Sequence, residues 1–274
     1  MELTMAGALN AALRDSMRDD DSVVVYGEDV GRLGGVFRVT DGLQAEMGTD
    51  RCFDTPVAEA GIAGTALGMA LYGLRPVVEM QFDGFSYPAL NQVISHVAKY
   101  RNRTRGRVGL PLVIRIPYGG GIGAVEHHSE SPEAYYAHTA GLTVVSPGTP
   151  ADAYALLRAS IAFDDPVIFL EPKRRYWLKE ELDLPVAAPP IGEAIVRREG
   201  TTATVIAYGP MVTTALEAAT RASDENGWDL EVVDVRTLSP VDMDTLVASA
   251  TKTGRALVVH EAARFVGYLS LIHI

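Results

Sequence analysis

Two periodicities alternate along the first 170 residues. From Thr4 to Asp19, Leu9, Ala12, Leu13 and Met17 recur at helical spacing, and Val23-Val-Val-Tyr26 follows as an unbroken apolar run that reads as a buried strand. A helix rich in small residues starts at Ala60, the strand Val77-Val-Glu-Met80 comes next, and a helix from Pro88 to Tyr100 leads into the strand Leu112-Val-Ile-Arg-Ile116. Val144-Val145, the helix Ala151 to Phe163 and the strand Val167-Ile-Phe-Leu170 complete the series. Short apolar strands without alternation, separated by helices, predict an α/β fold with a parallel sheet covered on both faces.

From Lys179 to Pro190 the chain turns acidic and proline-rich (KEELDLPVAAPP), the composition of a linker. This divides the chain into a first domain over residues 1–178, a linker over 179–190 and a second domain over 191–274. The second series runs through the strand Thr204-Val-Ile-Ala-Tyr208, a helix from Val212 to Asn226 and the strand Glu231-Val-Val-Asp-Val235. A helix from Asp242 to Thr251 and the strand Ala256-Leu-Val-Val-His260 follow. The chain ends a few residues later, so the second α/β domain reads as incomplete.

Composition narrows the class. Hydrophobic residues make up 47% and charged residues 22%, an ordinary globular balance that disfavours disorder. A net charge of −11 with no long basic run disfavours nucleic-acid binding. The densest cationic stretch, Lys99-Tyr-Arg-Asn-Arg-Thr-Arg-Gly-Arg107, reads either as a solvated helix end or as a partner-docking patch. The single cysteine, Cys52, excludes an intrachain disulfide and an iron–sulfur cluster held by this chain alone. No apolar run approaches the roughly 20 residues that span a bilayer. Acidic residues occupy positions 15 to 29, where a signal peptide would need an apolar stretch, and a cytoplasmic location is expected.

Three segments carry candidate chemistry. In the first, Glu59 opens a helix whose Gly61, Gly64 and Gly68 share one face, where another backbone can approach closely. That face suits a subunit interface and leaves Glu59 in a poorly hydrated setting able to hold a proton near neutral pH. A glutamate favoured only by the helix dipole is the alternative. The second segment, Tyr118-Gly-Gly-Gly-Ile-Gly-Ala-Val-Glu-His127-His128-Ser-Glu-Ser-Pro-Glu133, is a glycine-rich loop at a strand end followed by a polar constellation. Parallel sheets place ligand sites at such ends. No further ligands follow His127 and His128 at a zinc-binding spacing. His96 and His138 lie among apolar neighbours and suit packing or surface roles. The third segment, Gln81-Phe82-Asp-Gly-Phe85, offers an aromatic that can stack on a flat ring or fill the core.

These segments, with Tyr26-Gly-Glu-Asp-Val30, Lys99-Tyr100 and Phe169-Leu-Glu-Pro-Lys-Arg-Arg-Tyr176, resemble the beta subunits of the decarboxylating component of 2-oxo acid dehydrogenases. That family belongs to the transketolase-like superfamily, and the likeness runs from Leu3 to about Gly267. It implies a transketolase-like pyrimidine-binding domain followed by an incomplete transketolase C-terminal-like domain. It implies thiamine diphosphate as cofactor, with Glu59 on the residue that bonds the aminopyrimidine and promotes proton removal from the thiazolium. Phe85 falls on the aromatic stacked on the aminopyrimidine, Glu28 on a further acid near the cofactor, and His128 on the histidine facing substrate and lipoyl acylation. A buried potassium ion is implied at Leu112, Val113, Ser160, Phe163 and Asp165, largely through backbone carbonyls.

The Gly-Asp-Gly stretch that anchors Mg²⁺ and the diphosphate in thiamine enzymes is missing from the chain. A charged diphosphate needs such a site. The resemblance assigns it to an alpha subunit in an α2β2 heterotetramer, which works with a lipoyl-bearing transacylase core. The Gln81-Phe82 and His128-to-His138 segments resemble branched-chain forms, so 3-methyl-2-oxobutanoate is the expected substrate. Pyruvate is the alternative, and a non-catalytic α/β binding module is a second one. After Gly267-Tyr268 the family pattern gives way to Leu-Ser-Leu-Ile-His-Ile274, which suggests a truncated end.

Overall fold

The computed structural model describes residues 1–187 and 189–268; the departure from the family pattern at the last six residues lies outside them. Strand β1 (Glu2–Thr4) runs directly into a helix over Met5–Asp19. The Thr4 side chain caps that helix by accepting a 3.1 Å hydrogen bond from the Gly7 amide, which satisfies one of the free N–H groups of the first turn. Strands β2 (Val23–Gly27), β3 (Cys52–Asp54), β4 (Arg75–Glu79), β5 (Val113–Tyr118), β6 (Thr143–Val145) and β7 (Val167–Pro172) are mutually parallel. Every residue of β2, β5 and β7 is buried, as expected for strands covered on both faces.

Strand β8 (Lys179–Glu181) lies in the segment read as linker and pairs antiparallel with β1, Glu2 opposite Glu181 and Thr4 opposite Lys179. Beyond it come β9 (Ile195–Arg198), β10 (Ala203–Ala207), β11 (Leu230–Asp234), β12 (Thr237–Ser239) and β13 (Ala256–Val259). Four of these form a second sheet in the order β13-β10-β11-β9, in which β9 alone is antiparallel. The fifth crosses over. The first sheet has the order β12-β6-β7-β5-β4-β2-β3, and β12 forms its edge, antiparallel to β6.

Two apolar layers flank the first sheet. On one side Leu9, Leu13 and Met17 pack with Leu156, Leu157 and Phe169. The helix Pro150–Ala162 supplies two of these, and Thr149 caps its start by accepting from the Asp152 amide. On the other side Ile62, Ala63 and Ala66 pack with Val93 and Val97. A continuous helix from Pro88 to Tyr100 is not what forms. A single turn at Leu90–Gln92 passes into a π-turn at Val93–Val97, and a separate turn follows at Tyr100–Arg103. The Ala98 amide bonds the Val93 carbonyl at 2.9 Å, skipping one residue relative to an α-helix. The extra residue brings Val93, Val97 and Ala98 all into the core.

A buried ionic cluster joins the two halves. Arg197 on β9 pairs with Asp234 at 2.9 Å and with Asp152, and Arg236 lies 3.3 Å from the other Asp152 oxygen.

Candidate functional site

The site is built where β2, β4 and β5 end. Residue Glu28 follows β2 directly and is 3% exposed. Neither of its carboxylate oxygens accepts a hydrogen bond from the described N–H and O–H groups, and in its protonated form the carboxyl can share its proton with Glu59. Its pKa is pushed up to about 7, first by burial, then by the charge of Glu59, with smaller contributions from Asp29 and Glu79. Glu59 begins the helix Glu59–Leu71 and is itself buried. The two carboxylates named from sequence therefore share one environment. Beside them a cavity of about 220 Å³ is lined by Tyr26, Phe53, Thr55, Ala58 and Ile62. Tyr26 and Phe53 form one wall as a stacked pair, ring centroids 5.0 Å apart.

Among the described residues, the glycine face of that helix packs on no other backbone. A side chain at Gly68 would meet nothing within 4 Å, and at Gly64 only the Gln92 side chain. Gly61, Gly68 and Tyr72 are exposed.

The aromatic and histidine candidates meet one another. Phe85 lies in a turn just after β4, and its ring meets His128 edge-on at 5.1 Å and 83°. Phe82, three residues earlier, stacks on the same imidazole at 4.1 Å and 25°. His128 Nδ1 lies 3.0 Å from the His127 carbonyl, an oxygen that can only accept, so the tautomer protonated at Nδ1 makes this bond and leaves Nε2 for a ligand. Residue Asp29 accepts a 2.9 Å bond from Gln81, which ties the loop after β2 to the end of β4. His96 and His138 lie exposed at the surface.

A buried network under the site escaped the sequence reading. Arg115, fully buried on β5, bonds Glu79 on β4 at 2.8 Å and both oxygens of Glu171 on β7 at 2.6 and 3.0 Å. The Tyr176 hydroxyl donates to Glu171 at 2.6 Å. Burial raises Glu79 to about 6, against the opposing pull of Arg115. The signal was present: Glu79, Arg115 and Glu171 each stand as a buried charge beside apolar strand residues, which a central parallel sheet tolerates only when the charges pair.

The residues of the implied potassium site lie around the turn between the helix Pro150–Ala162 and β7. Their carbonyls already serve the protein: Leu112 accepts from the Val167 amide, Ser160 from the Phe163 amide and Phe163 from Arg75. Val113 sits in β5, and the Asp165 carboxylate pairs with Arg101 at 2.8 Å. Among the described residues no group of three or more His, Cys, Asp and Glu side chains is placed to hold a metal ion, and no helix is long and apolar enough to cross a membrane.

A parallel sheet with paired carboxylates and facing aromatics at its strand ends defines an α/β protein whose candidate site lies where such sheets bind their ligands. Residues 1–177 match the family model of the transketolase pyrimidine binding domain, and residues 192–273 match that of the transketolase C-terminal domain. The chain is 58% identical over 266 residues to the 3-methyl-2-oxobutanoate dehydrogenase subunit beta of Mycobacterium tuberculosis, covering 97% of this chain and 76% of that protein. It is 55% identical over 260 residues to the pyruvate dehydrogenase E1 component subunit beta of Leifsonia xyli subsp. xyli, covering 95% and 77%. Among solved structures, a split-gene transketolase in an inactive beta4 tetramer shares the fold, with a TM-score of 0.82 at 24% identity over 98% of this chain and 83% of that one. The chain belongs to the family of 2-oxo acid dehydrogenase E1 beta subunits.

Proposed function

We propose that this chain supplies the pyrimidine-binding half of a thiamine diphosphate site, in the cytoplasmic decarboxylating enzyme of a branched-chain 2-oxo acid dehydrogenase complex. The observation that carries the reading is the buried Glu28, whose unpartnered oxygens lie beside Glu59 at a strand end. Unpaired buried carboxylates are costly, and a heteroaromatic ring with hydrogen-bonding nitrogens is the kind of group that would satisfy them. When bound, the cofactor supplies nucleophilic addition to a 2-oxo carbon and storage of the electron pair left by decarboxylation.

In this reading Glu59 holds a proton at a pyrimidine ring nitrogen, and Glu28 stabilises that proton from the protein side. Phe85 packs against the ring, and His128 presents Nε2 to the acyl group on its way to a lipoyl acceptor. The chain lacks a Gly-Asp-Gly stretch, so Mg²⁺ and the diphosphate fall to an alpha subunit in an α2β2 heterotetramer, which delivers acyl groups to a lipoyl-bearing transacylase core. A structural potassium ion at Leu112, Val113, Ser160, Phe163 and Asp165 belongs to the same proposal.

The greater identity to the 3-methyl-2-oxobutanoate subunit supports a branched-chain substrate; the 55% identity to a pyruvate subunit supports the second reading. Turnover of both acids by the chain with and without its alpha subunit tests the proposal. No turnover is expected from the chain alone with thiamine diphosphate and Mg²⁺, and the assembled enzyme should show the higher kcat/KM for 3-methyl-2-oxobutanoate. Activity of the unpartnered chain overturns the shared site, and a preference for pyruvate selects the second substrate.

A further inference from the structure

The turn after β4 is pressed against the His128 loop at four consecutive residues. Phe82 stacks on the imidazole and Phe85 meets its edge. Between them, the Asp83 carboxylate accepts a hydrogen bond from the Glu130 amide, and a side chain on Gly84 would collide with the His127 carbonyl. The loop is also closed at its neck, where the Gly119 amide donates to the Glu130 carbonyl at 2.7 Å. Glu130 is thus held through its own N–H by Asp83 and through its C=O by Gly119.

Beneath Asp83 lies Lys173, just beyond β7. Its ammonium pairs with the second Asp83 oxygen and sits 5.7 Å from the Phe82 ring centroid. Both side chains of this ion pair are fully buried. The desolvation cost of such a pair can exceed its Coulombic gain, so its presence is weak evidence for stability and better evidence for a placement role.

We propose that Lys173 is a positioning residue for acyl transfer: by pairing with one Asp83 oxygen it keeps the other aimed at the Glu130 amide, and so holds the closed loop that presents the His128 ring against Phe82. Lys173 touches neither substrate nor cofactor in this scheme and acts only through Asp83 and the loop. The inference rests on the acyl-transfer role proposed for His128.

The test is a double-mutant cycle in the assembled enzyme, with a lipoylated carrier domain as acceptor. Lys173→Met should lower the rate of carrier acylation about tenfold in the wild-type background and less than about twofold when His128→Ala is already present. Lys173→Arg, which keeps the charge, should recover part of the loss. Asp83→Asn keeps an acceptor for the Glu130 amide but removes the charge partner; it should show the same cancellation, and it carries the test if Lys173→Met fails to assemble. A loss of equal size in both backgrounds overturns the proposal, because a general structural defect would not depend on His128. The two failures are separable. Wild-type acylation by His128→Ala alone overturns the role given to His128, whereas a normal loss in that variant without cancellation overturns only the role given to Lys173.

Discussion

The Gly120 amide donates a 2.6 Å hydrogen bond to the Glu261 carboxylate across 141 residues of chain. Glu261 follows the last strand of the second sheet, and Arg174 stands 3.9 Å from its other oxygen. The flanking Gly119 and Gly121 have φ of +80° and +97°, a region that side chains rarely tolerate, so this curve in the loop needs glycine. The second half of the chain thereby holds one end of the His128 loop while Asp83 holds the other.

Glu261→Ala should release the Gly119–Gly123 curve without disturbing the first sheet. Hydrogen exchange at those amides is expected to speed up by about tenfold or more, as for a lost local hydrogen bond of 1–2 kcal/mol. Unchanged protection would show that the glycine backbone holds its own shape.

Glu59→Gln is nearly isosteric and should leave assembly intact. In the assembled enzyme, decarboxylation measured with an artificial electron acceptor should fall by about two orders of magnitude or more, the usual scale of a lost acid–base group. A rate within about threefold of wild type would reduce Glu59 to a helix-start residue.

Glu28 makes stability depend on pH. Its carboxyl moves from an ordinary 4.5 to about 7 on folding. Below the lower value both states hold the proton; between the two the unfolded chain ionises first, so stability falls as pH rises, and the loss is complete above the folded value. Glu28→Gln removes this loss. The difference in Tm between variant and wild type, measured on the chain without its partner, should therefore be more positive at about pH 8 than at about pH 5. A difference that is flat across that window would place Glu28 in water.

Arg115→Met strips the cation that lies between Glu79 and Glu171, both buried. Breaking a buried ionic group by removing one partner costs about 3–5 kcal/mol, to be read from the denaturation midpoint. The Arg115→Met/Glu171→Gln double variant should lose less than the sum of its parts, and strict additivity would refute the network.

Much of the frame was legible because it follows from local pattern. The runs at Val23, Val113 and Val167 are long enough, and sufficiently β-branched, to declare buried strands, and the Thr4 and Thr149 caps lie at helix starts. What stayed hidden depends on partners far away in sequence. The π-turn at Val93–Val97 is set by the apolar layer that it must fill, not by a breaker residue. Thr237-Leu238-Ser239 is too short to announce a strand and gains that state only by pairing with β6. Lys179-Glu-Glu181 reads as a charged linker because its pairing with Glu2–Thr4 draws on the opposite end of the chain.

The site divides in the same way. Glu59, Phe85 and His128 stood out by residue type and place, and Glu28 came from resemblance. Arg115, Glu79 and Glu171 each look like a lone charge misplaced in an apolar strand, and only the sheet order brings them together. Lys173 and Asp83 are separated by 90 residues, and no periodicity links them.

The crossing of β12 into the first sheet also sets an order of events during synthesis. Strand β6 has its inner edge paired with β7, but its outer edge can be paired only after Thr237–Ser239 has left the ribosome. Until then the nascent first half presents an unpaired strand edge, the kind of surface that recruits wrong partners. The closing strand arrives from the half that also carries Arg197 and Arg236, which then pair with Asp152, while Asp234 of the same half pairs with Arg197. The first sheet is thus finished by residues translated long after its own helices.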